Sequence, residues 1–284
     1  MLRIRVLPCL LLKDKGLVKT VKFKDPKYLG DPINTIKIFN EKEVDELVLL
    51  DIDATIKNQA PDMGMISAVA SECFMPLAYG GGIRNIDDIR QILSLGVEKV
   101  IINSYAIENP DFIKAAFDKF GSQSIVVSID VKKNIFGRYE IYSHGGKRAT
   151  KIEPASFAVK MQNLGAGEIL LNSIDRDGTM KGYDIEIINR VSHSIQIPLV
   201  ACGGAGNIKD FKDAVIRGGA SAVSAGSYFV FQGPHRAVLI SYPKPEELEF
   251  GDWLFYIICK FNLSFQAKEE MCQLWNYSMF IENE

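Results

Sequence analysis

The residues able to do chemistry fall into acidic words and glycine words. The run SIVVSID ends on Asp130, LVLLDID carries Asp51 and Asp53, and SIDRDGT carries Asp175 and Asp177. An acid that closes an apolar run sits at the mouth of a dry core, where burial raises its pKa and suits it to general acid or base work. The competing role for Asp130 is to cap the helix that follows. Asp175 and Asp177 lie in turn-forming sequence, so each reads as a ligand for a substrate hydroxyl or as a turn former. The DxDGT spacing also suggests calcium, but the remaining loop ligands and a closing Glu are absent. No cofactor and no metal are implied.

The glycine words are Gly80-Gly81-Gly82 and Gly203-Gly204, followed downstream by the small-residue turns Asn103-Ser104 and Gly226-Ser227. Glycine at the end of a strand and the start of a helix lets backbone N–H groups close around a phosphate. Two such sites suggest a small-molecule substrate phosphorylated at both ends.

The elements that must position these residues repeat. Gly80 to Gly203 and Asn103 to Gly226 are both steps of 123 residues, close to half of the 284-residue chain. A half-chain period means a duplicated half-domain. Strands are expected at 6–10, 46–51, 77–79, 99–103, 125–130, 168–173, 199–201 and 222–225. Helices are expected at 33–40, 86–94, 110–117, 154–164, 184–191 and 208–217, with a hairpin-like insertion at 135–150. Apolar strands alternating with helices in two equal halves predict a closed (β/α)8 barrel (TIM barrel) of two half-barrels. An open doubly wound sheet would not explain the repeat. The barrel is expected over 1–250. The aromatic-rich stretch 251–284 has no counterpart in the first half and reads as an extension, either a cap on the barrel or a surface-binding tail.

Composition narrows the class. A net charge of -2 gives no footprint for nucleic acid or an acidic membrane. Basic residues gather in Lys13 to Lys27, read as a charged loop. Five cysteines without CxxC spacing indicate neither zinc nor a disulfide framework. The start reads as a strand rather than a signal peptide, and no apolar run approaches the roughly 20 residues that span a bilayer. A cytoplasmic enzyme is expected.

Four strands are entered through a charge: Arg5, Glu46, Lys99 and Glu168. Two of each sign at the N-terminal ends either pair in a ring across the barrel floor, forming a gate for something small, or merely keep the strand entries soluble.

Over about residues 1–235 the chain resembles the cyclase subunit of imidazole glycerol phosphate synthase, a lyase. The words that carry the resemblance are DELVLLDIDA, GGGI, FGSQSIVVSIDVK, GAGEILLNSIDRDGT, GYD and GGAG. The resemblance implies that a glutaminase subunit docks on the N-terminal face and that ammonia passes a salt-bridge gate of Arg5, Glu46, Lys99 and Glu168. It implies one phosphate held by Gly82, Asn103 and Ser104 and the other by Gly204, Gly226 and Ser227. It further implies that Lys19 closes over substrate, that Asp130 is one of two catalytic aspartates and that Asp177 is a third acid at the site.

One word departs. Where the family has Cys-Leu-Asp at the end of strand one, this chain reads Cys9-Leu10-Leu11. Leucine neither gives nor takes a proton, and losing one member of an acid–base pair costs about 10²–10⁴-fold. Together with CLLLK and GLVKTVKF (Cys9 to Phe23), the departure resembles a divergent branch tied to sugar amidation in surface-polysaccharide synthesis. That branch implies a separate sugar amidotransferase as a further partner. An ammonia-conducting, sugar-amidating subunit is therefore the leading expectation, the histidine-pathway cyclase the second, and a non-catalytic activator of a glutaminase the third.

Overall fold

The computed structural model describes residues 4–233 and 235–248. Eight parallel strands, β1 (Arg5–Lys13), β2 (Leu47–Asp51), β3 (Leu77–Gly80), β4 (Lys99–Ile102), β5 (Ile125–Lys133), β6 (Glu168–Ser173), β7 (Leu199–Cys202) and β8 (Ala222–Ala225), pair each with the next. The ring closes where β8 pairs β1, Arg5 opposite Ala222 and Val6 opposite Val223. The chain folds as a (β/α)8 barrel.

Side chains alternate across a strand, so residues two apart share a face. Leu7 and Cys9, Val48, Ala78, Ile101, Val126, Leu170, Val200 and Cys202, and Ala222 form the packed interior. Stepping by two from these positions reaches Arg5, Glu46, Lys99 and Glu168 at one end and Leu11, Asn103, Asp130 and Asn172 at the other. One parity therefore fixes both ends of the barrel axis. The opposite parity packs against the helices, where Ile36, Phe39, Ile89, Ile113 and Phe211 are fully buried. Each such side chain contributes about 1.5–3 kcal/mol on leaving water.

The half-chain repeat is visible in the turns. Gly81 and Gly204 take φ of 129° and 119°, and a Cβ would meet Asp51 O at 2.5 Å in the first and Gly182 O at 2.3 Å in the second. The helices that follow, Ile86–Ser94 and Ile208–Ile216, start the same way. Asn85 accepts from Asp88 N–H at 2.8 Å, and Asn207 from Asp210 N–H at 3.1 Å.

Three expectations need correction. The Lys13–Lys27 stretch is not a loop. It folds back as antiparallel strands Gly16–Val21 and Lys24–Gly30, with Leu11 opposite Val18. Leu17, Val18, Lys19 and Thr20 are all buried, Lys19 among them, so the charge of this stretch conceals a strand packed on both sides. Next, β5 does not stop at Asp130 but runs on to Lys133, because Asp130 to Lys133 pair antiparallel with Tyr139–Ser143. Lastly, a helix over Met63–Glu72 was not anticipated. MGMISAVASE presents no clean apolar stripe, and only Ile66 and Val69 are buried; its start is fixed by Asp62, which accepts from Met65 N–H at 3.0 Å. After Tyr242 the described chain holds one helical turn, Pro245–Leu248. The extension 251–284 lies outside the described residues, and no described helix is long and apolar enough to cross a membrane.

Candidate active site

The C-terminal ends of the strands enclose a cavity of about 260 Å³. Leu11, Lys19, Gly82, Asn103, Ser104, Asp130, Asp177 and Gly226 all line it, while Gly204 and Ser227 do not. Gly204 instead packs against Gly182, and the Ser227 hydroxyl lies 3.4 Å from Arg236 Nη2. Most of the residues expected at the site thus converge, and two expected at the second phosphate turn stand outside this cavity.

Asp130 is buried on the interior face of β5. Its Oδ2 accepts from Asn103 Nδ2 at 3.1 Å, and it caps no helix. Burial, with the Asp177 carboxylate nearby, pushes its pKa up to about 7 against the favourable hydrogen bonds from Asn103 and Asn172. A group that holds or releases a proton near neutrality is what general acid–base work requires.

Opposite stand Lys19 and Asp177. Lys19 Nζ meets Asp177 Oδ1 at 2.8 Å, and Thr20 Oγ1 donates to Oδ2 at 3.1 Å, all three buried. The backbone bond from Lys22 N–H to Asp177 O, 2.9 Å, ties the Gly16–Gly30 hairpin to the β6 loop. Asp175 is drawn elsewhere, accepting from Lys133 N–H at 3.1 Å. Asp51 accepts from Asp53 and Ala54 N–H, both 3.0 Å, and so closes a turn. Its pKa is raised by burial.

At the Asn103 turn, Ser104 Oγ donates to Asn103 Oδ1 at 3.1 Å and accepts from His144 N–H at 2.9 Å. His144, Gly145 and Lys147 belong to the hairpin that follows β5, and Gly145 and Lys147 line the cavity. They are not legible in the sequence, because nothing in YSHGGKRAT shows that β5 carries it back to the mouth. Asn172 Oδ1 is buried with no hydrogen-bond partner among the described residues. Among the described residues no group of three His, Cys, Asp or Glu is placed to hold a metal.

Leu11 is half-buried. It sits beside Leu50 in the β1–β2 register and packs on the interior cluster with it. The mouth therefore carries the acids Asp130 and Asp177 together with an apolar patch, Leu11 and Leu50.

At the other end the four charges do form a ring. Arg5 pairs with Glu46 at 2.8 Å and with Glu168, and Lys99 reaches Glu46 at 2.8 Å and Glu168 at 3.1 Å. Both carboxylates are buried. Removing one partner of such a set leaves an uncompensated buried charge. Lys99→Met is therefore expected to lower unfolding stability by about 3 kcal/mol, read as a fall in the urea midpoint with the slope unchanged.

Residues 5–234 match the family model for histidine biosynthesis proteins. The putative imidazole glycerol phosphate synthase subunit hisF2 of Pseudomonas aeruginosa is 55% identical over 88% of this chain and all of its own length. The chain belongs to the imidazole glycerol phosphate synthase cyclase family. Other members include the putative synthase subunit HisF of Leptospira interrogans, 49% identical over 90% of this chain and all of its own. The synthase subunit HisF of Alkaliphilus metalliredigens is 45% identical over 79% of this chain and 89% of its own. For a member of this cyclase family, the ring of charges and the cavity lie at the two ends of one barrel axis, joined by the same strands.

Proposed function

We propose that this chain is the acceptor-binding, ring-closing subunit of a two-part glutamine amidotransferase. A glutaminase docks on the face that carries Arg5, Glu46, Lys99 and Glu168 and releases ammonia there. The acceptor, a bisphosphorylated formimino-aminoimidazole carboxamide ribonucleotide, occupies the cavity at the other mouth. Ammonia closes the imidazole ring, giving imidazole glycerol phosphate and aminoimidazole carboxamide ribonucleotide, the reaction of the histidine pathway.

The observation that carries this reading is the apolar interior between two polar ends. From Lys99 to Asn103 is about 13 Å of strand. Between them Leu7, Val48, Ala78, Ile101, Val126, Leu170, Val200 and Ala222 face inward. Neutral ammonia crosses such a stretch at far lower cost than ammonium, because an isolated charge loses its solvation there. The ring at the entrance offers carboxylates to keep protons behind.

In the cavity, Asp130 is the proton carrier, holding a proton for departing nitrogen or taking one from incoming ammonia. Lys19 and Asp177 close the hairpin over the acceptor. Gly82, Asn103 and Ser104 hold one phosphate; Gly226 holds the other, with Gly204 and Ser227 supporting its turn. Leu11 supplies no second acid, so ring closure runs below the rate a paired site would reach. The experiment is direct. Purified chain receives the ribonucleotide and ammonium salt at alkaline pH, and consumption is followed as product forms. Slow but saturable turnover is expected; none at any concentration overturns the ring-closing role.

Leu11 favours a second reading, in which the barrel conducts ammonia onward to a separate amidotransferase acting on an acetamido sugar of a surface polysaccharide. The relatives named above carry the synthase name, which favours the first.

A further inference from the structure

Past Asp130, β5 continues beyond its last pairing with β6, Val131 opposite Ser173, and leaves the barrel on the side of the active-site mouth. The chain turns over Asn134–Arg138 and returns as Tyr139–Ser143. At the tip, Ile135 is 94% and Phe136 80% exposed. The turn that displays them is built. Asn134 N–H donates to Arg138 O at 2.8 Å and Gly137 N–H to Asn134 O at 2.9 Å. The Asn134 side-chain oxygen accepts from Phe136 and Arg138 N–H, and its amide donates to Glu140 at 2.6 Å. Two large apolar side chains are thus held in water by an ordered turn.

Their setting is basic. Residues 131–151 carry Lys132, Lys133, Arg138, Lys147, Arg148 and Lys151 against the single carboxylate Glu140, a net +5 in a chain whose total is -2. Lys133 is engaged, 2.8 Å from Glu186 and over the Tyr139 ring, and Lys132 lies over the Tyr142 ring. Arg138 sits in the tip itself, exposed. The other long insertion on this face, residues 13–28, is also basic, with Lys13, Lys15, Lys22, Lys24 and Lys27 and a 66% exposed Tyr28.

We infer that the Asn134–Arg138 tip docks on an anionic lipid bilayer. Ile135 and Phe136 enter the acyl boundary while Lys132, Arg138 and the 147–151 cations meet the headgroups. An apolar wedge or a basic patch alone gives marginal, reversible attachment, and the two together give stable attachment. A nucleic-acid site would set stacking aromatics in a basic groove; here the most exposed side chain is aliphatic and stands on a projection. Attachment through this tip turns the barrel mouth toward the membrane and leaves the charge-ring face open to the glutaminase. It holds whichever acceptor the cavity takes.

Vesicle flotation of the full chain tests it, with phosphatidylcholine alone and with phosphatidylglycerol added. The chain is expected to float with the anionic vesicles only, and less as salt rises. The double variant Ile135→Ser, Phe136→Ser is expected to lose at least about tenfold in binding, with its melting temperature and ammonia-dependent activity unchanged. Phe136→Trp is expected to be quenched by brominated lipid beyond the quenching of the unmodified chain. Equal flotation of the double variant and its parent, or no flotation with anionic vesicles, overturns the inference. Capture by immobilised polyglutamate with no vesicle binding overturns it too, and assigns the face to an acidic protein instead.

Discussion

Leu11→Asp is expected to raise the rate of ammonia-dependent ring closure about 10²–10⁴-fold. Position 11 shares the interior face of β1 with Leu7 and Cys9 and lines the same cavity as Asp130. A carboxylate there faces an acid whose pKa already stands at about 7. Two such groups push their protonation apart, so that one keeps a proton while the other stays ionised. That division lets one donate while the other accepts. The substitution removes the packing of Leu11 on Leu50 and sets a polar group in its place, a cost of about 2 kcal/mol, read as a lower urea midpoint. Turnover of the ribonucleotide by variant and parent is the measurement. A variant that folds, binds the ribonucleotide and gains nothing would show that ring closure is not the chemistry of this cavity.

Asp130→Asn is expected to abolish ring closure while making the protein more stable above neutral pH. The folded-state pKa of Asp130 is raised from 3.8 to about 7, mainly by burial and next by Asp177. Between those values the unfolded chain has lost the proton and the folded chain still holds it. Stability therefore falls as pH rises across that window and levels off above it. A gap of about three pKa units corresponds to about 4 kcal/mol. Asparagine is nearly isosteric and never ionises, so the variant escapes this cost. The difference in unfolding free energy should approach that figure at pH 8 and shrink towards zero near pH 4. Denaturant unfolding at a series of pH values checks it, beside an activity assay expected to show at least about a 10²-fold loss. A variant less stable than its parent at pH 8 would mean that Asp130 is ionised and well paired, which removes the basis for its acid–base role.

Both effects were partly legible beforehand. The words SIVVSID and CLLLK mark where the acid is and where its partner is missing. What they do not give is the environment. The Asp130 pKa depends on Asn103, at the end of β4, and on Asn172 and Asp177, on β6 and the loop after it. The expectation that Asp130 ends its strand failed for a related reason. Lys132 and Lys133 look like a loop until Tyr139–Ser143 is brought alongside to pair with them. The Gly16–Gly30 hairpin was missed because its lysines dominate the composition, and its order depends on β1 and on the Asp177 loop.

Local sequence alone determined the barrel, because short apolar runs, helices between them and a 123-residue repeat leave few other closed arrangements. It also determined which charges enter which strands. Only the tertiary structure decided that Arg5, Glu46, Lys99 and Glu168 meet in one ring, since pairing across the axis depends on the parity and stagger of four separate strands. It alone decided that Gly204 and Ser227 stand outside the cavity, and that Ile135 and Phe136 are held in water beside its mouth. Those are matters of where a turn points, and a turn's direction is set by the partners that pack against it.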